Sequence, residues 1–285
     1  MSRIAVLGMG AMGSRMAVNL LQQGHQVTVW NRSREKVEPL IEKGAIAAST
    51  PREAVQGADF AISMVRDDEA SRQVWLAEET GAVAGMGERA IAIESSTLTV
   101  DWMRQLAQQF TDRNLAFLDA PVAGSRPQAE AAQLIYLVGG ESETLEQAMP
   151  VLNAMGGAVH HAGTVGSGTA IKLAINTLFG IQAAAMAELI SFMNKCGLNK
   201  TQAVEILTAT PVCSPAAKVL ADAMIASKFS PLFPIDLVEK DLSYLMDSAK
   251  QAALPMGKTA SKVFQQAIDS GYGADNITGV IQLYT

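Results

Sequence analysis

The sequence predicts a two-part chain: an α/β N-terminal half built on a parallel sheet, and an all-α C-terminal half joined to it by one long helix. Three observations carry this. Short apolar runs alternate with helical patterns from Ile4 to His161, which is the βαβ signature of a sheet covered on both faces. A glycine-rich hexapeptide follows the first run directly. After Gly163-Thr164-Val165-Gly166-Ser167-Gly168 the texture changes, and residues 169–195 carry almost no turn signals.

Taken in order, Ile4–Leu7, Gln26–Trp30, Phe60–Met64, Ala90–Ile93 and Leu115–Asp119 read as strands, with Leu134–Val138 and Ala158–His161 as further candidates. Ser14–Gln23, Ser33–Lys43 and Val100–Gln109 read as helices between them. Beyond the long helix, helical pattern is punctuated by Pro211, Pro215, Pro231, Pro234 and Pro255. The expected domains are 1–163 and 164–285. The length of 285 residues is comfortable for two.

The chain is 49% hydrophobic and 18% charged, enough to bury a substantial core, and its formal charge is −6. A general nucleic-acid binder would show a basic surplus, so that class is excluded. Two cysteines, Cys196 and Cys213, offer neither a disulfide framework nor metal-ligand spacing, so no metal is expected and a cytoplasmic location fits best. The Ile4–Leu7 run is too short for a signal peptide. The apolar region 173–193 is interrupted by Asn176, Gln182 and Glu188 and reads as a buried helix, so no membrane span is expected.

The hexapeptide is Gly8-Met9-Gly10-Ala11-Met12-Gly13. G-x-G-x-x-G alone is weak. Between a strand and a helix, at the start of a βαβ unit, it marks a Rossmann dinucleotide site. Gly8 permits the tight turn, Gly10 clears the approach of the pyrophosphate, and Gly13 lets helix and strand pack closely. The helix N-terminus then offers free N–H groups to the phosphates. The second strand ends at Trp30, where a site for NAD usually places an acid against the ribose 2′-hydroxyl. Here Asn31-Arg32-Ser33 stands instead, with Arg34 and Lys36 nearby. The planar fork of Arg32 suits a 2′-phosphate, and Ser33 adds a donor, so NADP(H) is expected over NAD(H).

On the long helix, Gly168, Lys172, Asn176 and Gly180 recur every fourth residue and share one face. Burying Lys and Asn unpaired costs several kcal/mol. A packing stripe would not choose them, although a surface lysine on a polar stripe is an equal reading of the pattern alone. In the functional reading Gly168 admits a flat ring near the first turn, Lys172 meets the substrate oxygen, and Asn176 orients Lys172 or the substrate hydroxyl.

The chain resembles the β-hydroxyacid dehydrogenase family, which includes 3-hydroxyisobutyrate dehydrogenases, tartronate semialdehyde reductases and glyoxylate/succinic semialdehyde reductases. The likeness spans nearly the whole sequence. Gly8–Gly24 is similar to the family's cofactor signature, and Ser95-Ser96-Thr97 to its segment beside the nicotinamide. Asp119-Ala120-Pro121-Val122-Ala123-Gly124-Ser125 resembles its substrate motif, Gly166–Asn176 its catalytic helix, and Lys240-Asp241-Leu242 its C-terminal element near cofactor and substrate. The resemblance implies Lys172 as catalytic and Asn176 as its partner. It further implies cofactor contacts from Met64, Val65, Thr97 and Lys240, and substrate contacts from Ser96, Ala123, Gly124 and Ser125. The usual motif reads D-A-P-V-S-G-G, so Ala123 lacks a carboxylate-binding hydroxyl and Ser125 replaces a glycine. Ser125-Arg126 through Glu130 is more like the glyoxylate/succinic semialdehyde branch. Arg126 is the candidate replacement donor, with an exposed loop arginine as the other reading.

The expected chemistry is hydride transfer that interconverts a small carboxylate-bearing 3-hydroxy acid and its semialdehyde, running toward reduction, with Lys172 as acid and base. An unperturbed lysine, with a pKa of about 10.4, is a poor base at neutral pH. Desolvation and a nearby cation such as Lys240 would lower it. Competing readings are a glyoxylate/succinic semialdehyde reductase, oxidation of 3-hydroxyisobutyrate, imine reduction, and a non-catalytic NADP-binding sensor or scaffold. Lys172 counts against imine reduction. Lys172, Asn176 and Lys240 together count against the sensor. A homodimer or homotetramer is expected. His25, His160 and His161 read as structural or surface groups.

Overall fold

Alternation along Arg3–Leu7 (β1) sets the two faces of the sheet. Ile4 and Val6 enter one buried cluster while Ala5 and Leu7 enter the other, the period-2 signature of a strand covered on both sides. The computed structural model describes residues 1–249 and 252–284 and forms two compact units, Met1–Lys172 and Leu173–Thr285.

In the first unit β1 is followed by α1 (Gly13–Gln22), β2 (Gln26–Trp30), α2 (Glu38–Ile41), β3 (Ile46–Ala47) and α3 (Pro51–Ala54). Next come β4 (Phe60–Ser63), α4 (Asp68–Leu76), β5 (Ile91–Glu94), α5 (Val100–Thr111) and β6 (Ala116–Asp119). The unit ends with β7 (Val122–Ala123), α6 (Arg126–Glu130), β8 (Leu134–Gly139), α7 (Ser142–Asn153) and β9 (Gly156–Gly163). Strand order is β3-β2-β1-β4-β5-β6-β8-β7, with β9 on β8. Trp75, Phe110 and Phe117 fill one face, with Phe110 edge-on to Trp75 at 5.2 Å and stacked on Phe117 at 4.8 Å.

Two expectations need correction. The sheet is not wholly parallel, because β8 runs antiparallel to β6 and β7. A parallel crossover needs a dozen or more residues. Only Ala120 and Pro121 separate β6 from β7, and only a short turn carrying α6 separates β7 from β8. The helix expected over Ser33–Lys43 breaks into a 3-10 turn, Arg34–Lys36, and the single turn α2. Pro39 lacks an N–H and fits only the first turn of a helix, so α2 has to start beside it.

The Ser167–Lys195 helix (α8) runs from the first unit into the second, which adds α9 (Lys200–Thr208), α10 (Pro215–Ile225), α11 (Ile235–Ala249) and α12 (Pro255–Asp269). Pro215 and Pro255 each occupy a first turn, where a missing N–H costs nothing. Ala183, Ala187 and Ile190 of α8 pack with Leu220, Val238 and Phe264 in one core. By length and an 18-residue mean hydropathy of 1.5, α8 has the makings of a membrane span, but half of that window is buried inside the protein. It is a core helix.

Gly168 corrects a third reading. A Cβ there would lie 2.1 Å from the Leu137 carbonyl oxygen and 3.0 Å from that of Asp119, so the missing side chain makes room for the sheet and not for a ring. Gly168→Ala is expected to destabilise the protein by about 1–3 kcal/mol, the cost of overpacking a close contact, read as a lower thermal midpoint. An unchanged midpoint would contradict the packing.

Candidate active site

The glycine-rich loop shows the division of labour its sequence implies. Gly8 has φ +105°, and a Cβ on it would sit 2.3 Å from the Met64 carbonyl oxygen. A Cβ on Gly13 would sit 2.0 Å from the Gly8 carbonyl oxygen. Gly10 is different. It is exposed, and a Cβ there would meet nothing within 4 Å. That open surface beside the start of α1 is the space a pyrophosphate needs, so the loop fits a dinucleotide. The loop is braced internally. Ser14 Oγ donates to the Gly10 carbonyl at 2.8 Å, and Arg15 Nη1 to the Ala11 carbonyl at 2.7 Å.

Asn31 has a structural duty. Its Oδ1 accepts from the Met9 N–H at 2.9 Å and its Nδ2 donates to the Ser33 carbonyl at 2.9 Å, tying the end of β2 to the glycine loop. Arg32 is exposed and Ser33 half-buried beyond it, and Met12 is half-buried at the start of α1.

At the ends of β4 and β5 a buried carboxylate organises the next pair of loops. Glu94 accepts from Ser71 Oγ and Trp75 Nε1, both at 2.8 Å, and from the Ser96 N–H at 3.0 Å and Oγ at 2.6 Å. Burial pushes its pKa up, against the pull of these donors. Ser96 Oγ in turn accepts from the Val65 N–H at 2.8 Å. Ser96 is fully buried, and its hydroxyl thus donates to Glu94 and accepts from Val65. Met64, Val65 and Thr97 are half-buried around it.

The substrate motif continues the pattern. Gly124 is exposed with φ +119°, and Ser125 caps α6. The Ser125 N–H is already taken by Gln128 Oε1 at 2.9 Å, so it is not free for an anion. Ala123 and Arg126 are half-buried, and Arg126 Nε is buried with no hydrogen-bond partner. Glu130, noted in the sequence only as a branch feature, pairs with Arg15 Nη2 at 2.7 Å and Nε at 2.8 Å. Asn19 Nδ2 also donates to the Ala129 carbonyl at 2.7 Å, so α1 grips α6 twice.

Asp119, the first residue of that motif, holds the start of α8. Its Oδ2 accepts from the N–H groups of Gly166 at 2.9 Å and Thr169 at 3.1 Å, and its Oδ1 from Thr169 Oγ1 at 2.6 Å. Gly166 turns the chain with φ +92° to present its N–H. One turn later Lys172 is 8% exposed, which removes the surface-lysine reading. Asn176, on the next turn, is 7% exposed, and its Nδ2 donates to Asp241 Oδ2 on α11 at 2.6 Å. Lys240 Nζ lies 2.8 Å from Asp241 Oδ1 and 4.3 Å from the Tyr244 ring. Sequence reasoning missed the organising roles of Glu94, Asp119 and Asp241. The available signal was an acid at the end of an apolar strand, or beside a lysine on a helix.

Burial pushes the Asp119 carboxyl up to about 6, against the opposing hydrogen bonds of Thr169 and Gly166, and the Glu94 carboxylate adds to the rise. The folded value is raised, so this group's stabilisation is full below the ordinary value of 3.8 and is lost as pH rises through about 6. An asparagine can accept both N–H groups and donate to Thr169, so Asp119→Asn is expected to flatten that pH dependence. Asp119→Ala, which orphans three donors, is expected to cost about 3 kcal/mol. Thermal unfolding at about pH 4.5 and about pH 7.5 measures both, and parallel curves for wild type and Asp119→Asn would contradict the assignment.

Comparison with known proteins agrees with this arrangement. Residues 3–163 match the family model of the NAD binding domain of 6-phosphogluconate dehydrogenase. Residues 166–284 match that of the NAD-binding domain of NADP-dependent 3-hydroxyisobutyrate dehydrogenase. Glyoxylate/succinic semialdehyde reductase 2 of Arabidopsis thaliana is 33% identical, over 98% of this chain and 78% of its own length. The NAD-dependent L-serine dehydrogenase of Pseudomonas aeruginosa is 32% identical, over 100% of this chain and 98% of its own. The Mycobacterium tuberculosis 3-hydroxyisobutyrate dehydrogenase structure with L-serine superposes with a TM-score of 0.91 at 28% identity, covering 99% of both chains. With its Rossmann unit, its glycine loop open at Gly10 and its buried lysine and asparagine on one helix, the chain belongs to the 3-hydroxyisobutyrate dehydrogenase family, the NAD(P)-dependent β-hydroxyacid dehydrogenases.

Proposed function

We propose that the enzyme prefers NADP(H) and reduces a small carboxylate-bearing semialdehyde to its 3-hydroxy acid, with Lys172 as the proton donor. The observation that carries this reading is the burial of Lys172 and Asn176 one turn apart on α8. A lysine sequestered there, beside an amide, has the arrangement of a proton-transfer pair. The bound nicotinamide supplies the hydride, and the protein positions the carbonyl and manages the proton. As an ammonium, Lys172 gives a proton to the carbonyl oxygen during reduction. In the reverse direction the neutral amine takes it from the hydroxyl. Lysine is largely protonated at neutral pH, which favours the reductive role.

Lys172, Asn176, Ala123 and Gly124 are proposed around the substrate. Ser96 is proposed to act through Val65, whose N–H it holds. With Ala123 lacking a hydroxyl and the Ser125 N–H committed, the Gly124 N–H and the Arg126 guanidinium are the proposed donors to the substrate carboxylate. The residues proposed around the cofactor are Gly8 through Gly13, Asn31, Arg32, Ser33, Met64, Val65, Thr97 and Lys240, with Asn31 acting by shaping the loop. NADP preference rests on exposed Arg32 where an acid would favour NAD, and relatives of both cofactor names exist. The proposed domains are 1–163 and 164–285. A homodimer or homotetramer is also proposed. The apolar stripe of Ile171, Ile175, Leu178, Leu189 and Phe192 left exposed along α8 supports it, and light scattering tests it.

A panel including succinic semialdehyde and glyoxylate, run with NADPH and with NADH, tests the function. A higher kcat/KM with NADPH is expected, and Arg32→Ala is expected to erase the difference. Lys172→Ala is expected to lose about 10²- to 10⁴-fold in kcat while still binding NADPH. Faster turnover with NADH would overturn the preference. Full activity of Lys172→Ala would overturn the mechanism, and no turnover with any aldehyde would favour a non-catalytic sensor.

A further inference from the structure

An asparagine amide has two ends of almost equal size and opposite hydrogen-bonding character, so its neighbours decide which end faces where. Asn176 has such a neighbour. Asp241 is 3% exposed, and its carboxylate lies 2.6 Å from the Asn176 amide. A carboxylate only accepts. Turning Asn176 Oδ1 toward it would press two acceptors together with no water to separate them, so Nδ2 has to face Asp241 and Oδ1 has to face away. Lys240 Nζ lies 2.8 Å from the other carboxylate oxygen. The backbone is arranged to allow this contact. A Cβ on Gly180, one turn beyond Asn176, would meet Val238 at 3.3 Å and Leu242 at 3.5 Å, so a bare glycine brings α8 close to the stretch of α11 that carries Asp241.

We propose that Asp241 is a positioning residue that locks the Asn176 amide with its oxygen presented to the Lys172 ammonium or the substrate hydroxyl, and that Lys240 serves this lock. The proposal rests on the reading of Lys172 and Asn176 given above. It assigns Lys240 a task its sequence position did not indicate. Its ammonium lies 2.8 Å from Asp241 Oδ1.

A double-mutant cycle tests this in the full-length enzyme, with NADPH and whichever panel aldehyde is reduced fastest. Asp241→Asn keeps the volume but no longer dictates the flip of Asn176. It is expected to lower kcat by about 10- to 100-fold, the scale of a misplaced reacting group, with NADPH affinity unchanged. In an Asn176→Ala background the same substitution is expected to do nothing further, because its effect passes through that amide. Wild-type kcat in Asp241→Asn, or the same fold-loss in both backgrounds, would overturn the proposal. If Asp241→Asn does not fold, Asp241→Glu is compared with Asp241→Gln. These two share one length, and only the carboxylate is expected to retain activity, so equal rates overturn the lock. Lys172→Ala measured alongside separates the two failures. Its full activity would sink the underlying reading, whereas its inactivity with a fully active Asp241→Asn would sink the role of Asp241 alone.

Discussion

The carboxylate of Asp119 is the constraint on which the arrangement of the candidate site depends. It ends a central strand and takes three hydrogen bonds from the turn that begins α8. A helix leaves its first N–H groups without partners, and a buried helix start needs an acceptor supplied from elsewhere. Here a strand end supplies it, so the starting point of a 29-residue helix is set by the sheet. Gly168 completes the fit by removing a Cβ that would strike the Leu137 carbonyl. Lys172 and Asn176 then follow at fixed rotations, one and two turns on.

Buried acids recur as organisers. Glu94 gathers α4 and the loop after β5, and through Ser96 it fixes the Val65 N–H. Asp241 fixes the Asn176 amide. Each holds its neighbours by accepting hydrogen bonds, and each is shielded from water, where a satisfied charge gives direction and an unsatisfied one is costly. Polar residues beside the proposed substrate and cofactor thus divide into two kinds. Arg32 is exposed and Lys172 is the proposed proton donor, whereas Asn31, Ser96 and the Ser125 N–H hold protein partners.

The strands and the long helix were legible in the sequence because burial imposes a period, and Gln26–Trp30 could be read to the residue. Antiparallel β7 was not legible, because a two-residue strand has no period to show and its direction follows from connection length. Helix α2 was overextended because Pro39 was passed over as a helix start. The residue types at the site were legible, since Lys and Asn every fourth residue on an apolar helix are costly without a purpose. Their second partners were not. Nothing local to Asp119 or Asp241 points to residues 50 and 65 positions away, and only the fold brings those together. The commitment of Ser96 was hidden for the same reason, because Val65 lies one strand away.

In the proposed mechanism the amine on α8 handles the proton while the Rossmann unit holds the dinucleotide. Chemical rescue tests it most directly. Small primary amines added to Lys172→Ala, with NADPH and the best aldehyde, are predicted to restore turnover in proportion to their concentration and acidity. Turnover by Lys172→Ala that is substantial without amine would contradict the proton-transfer role of Lys172.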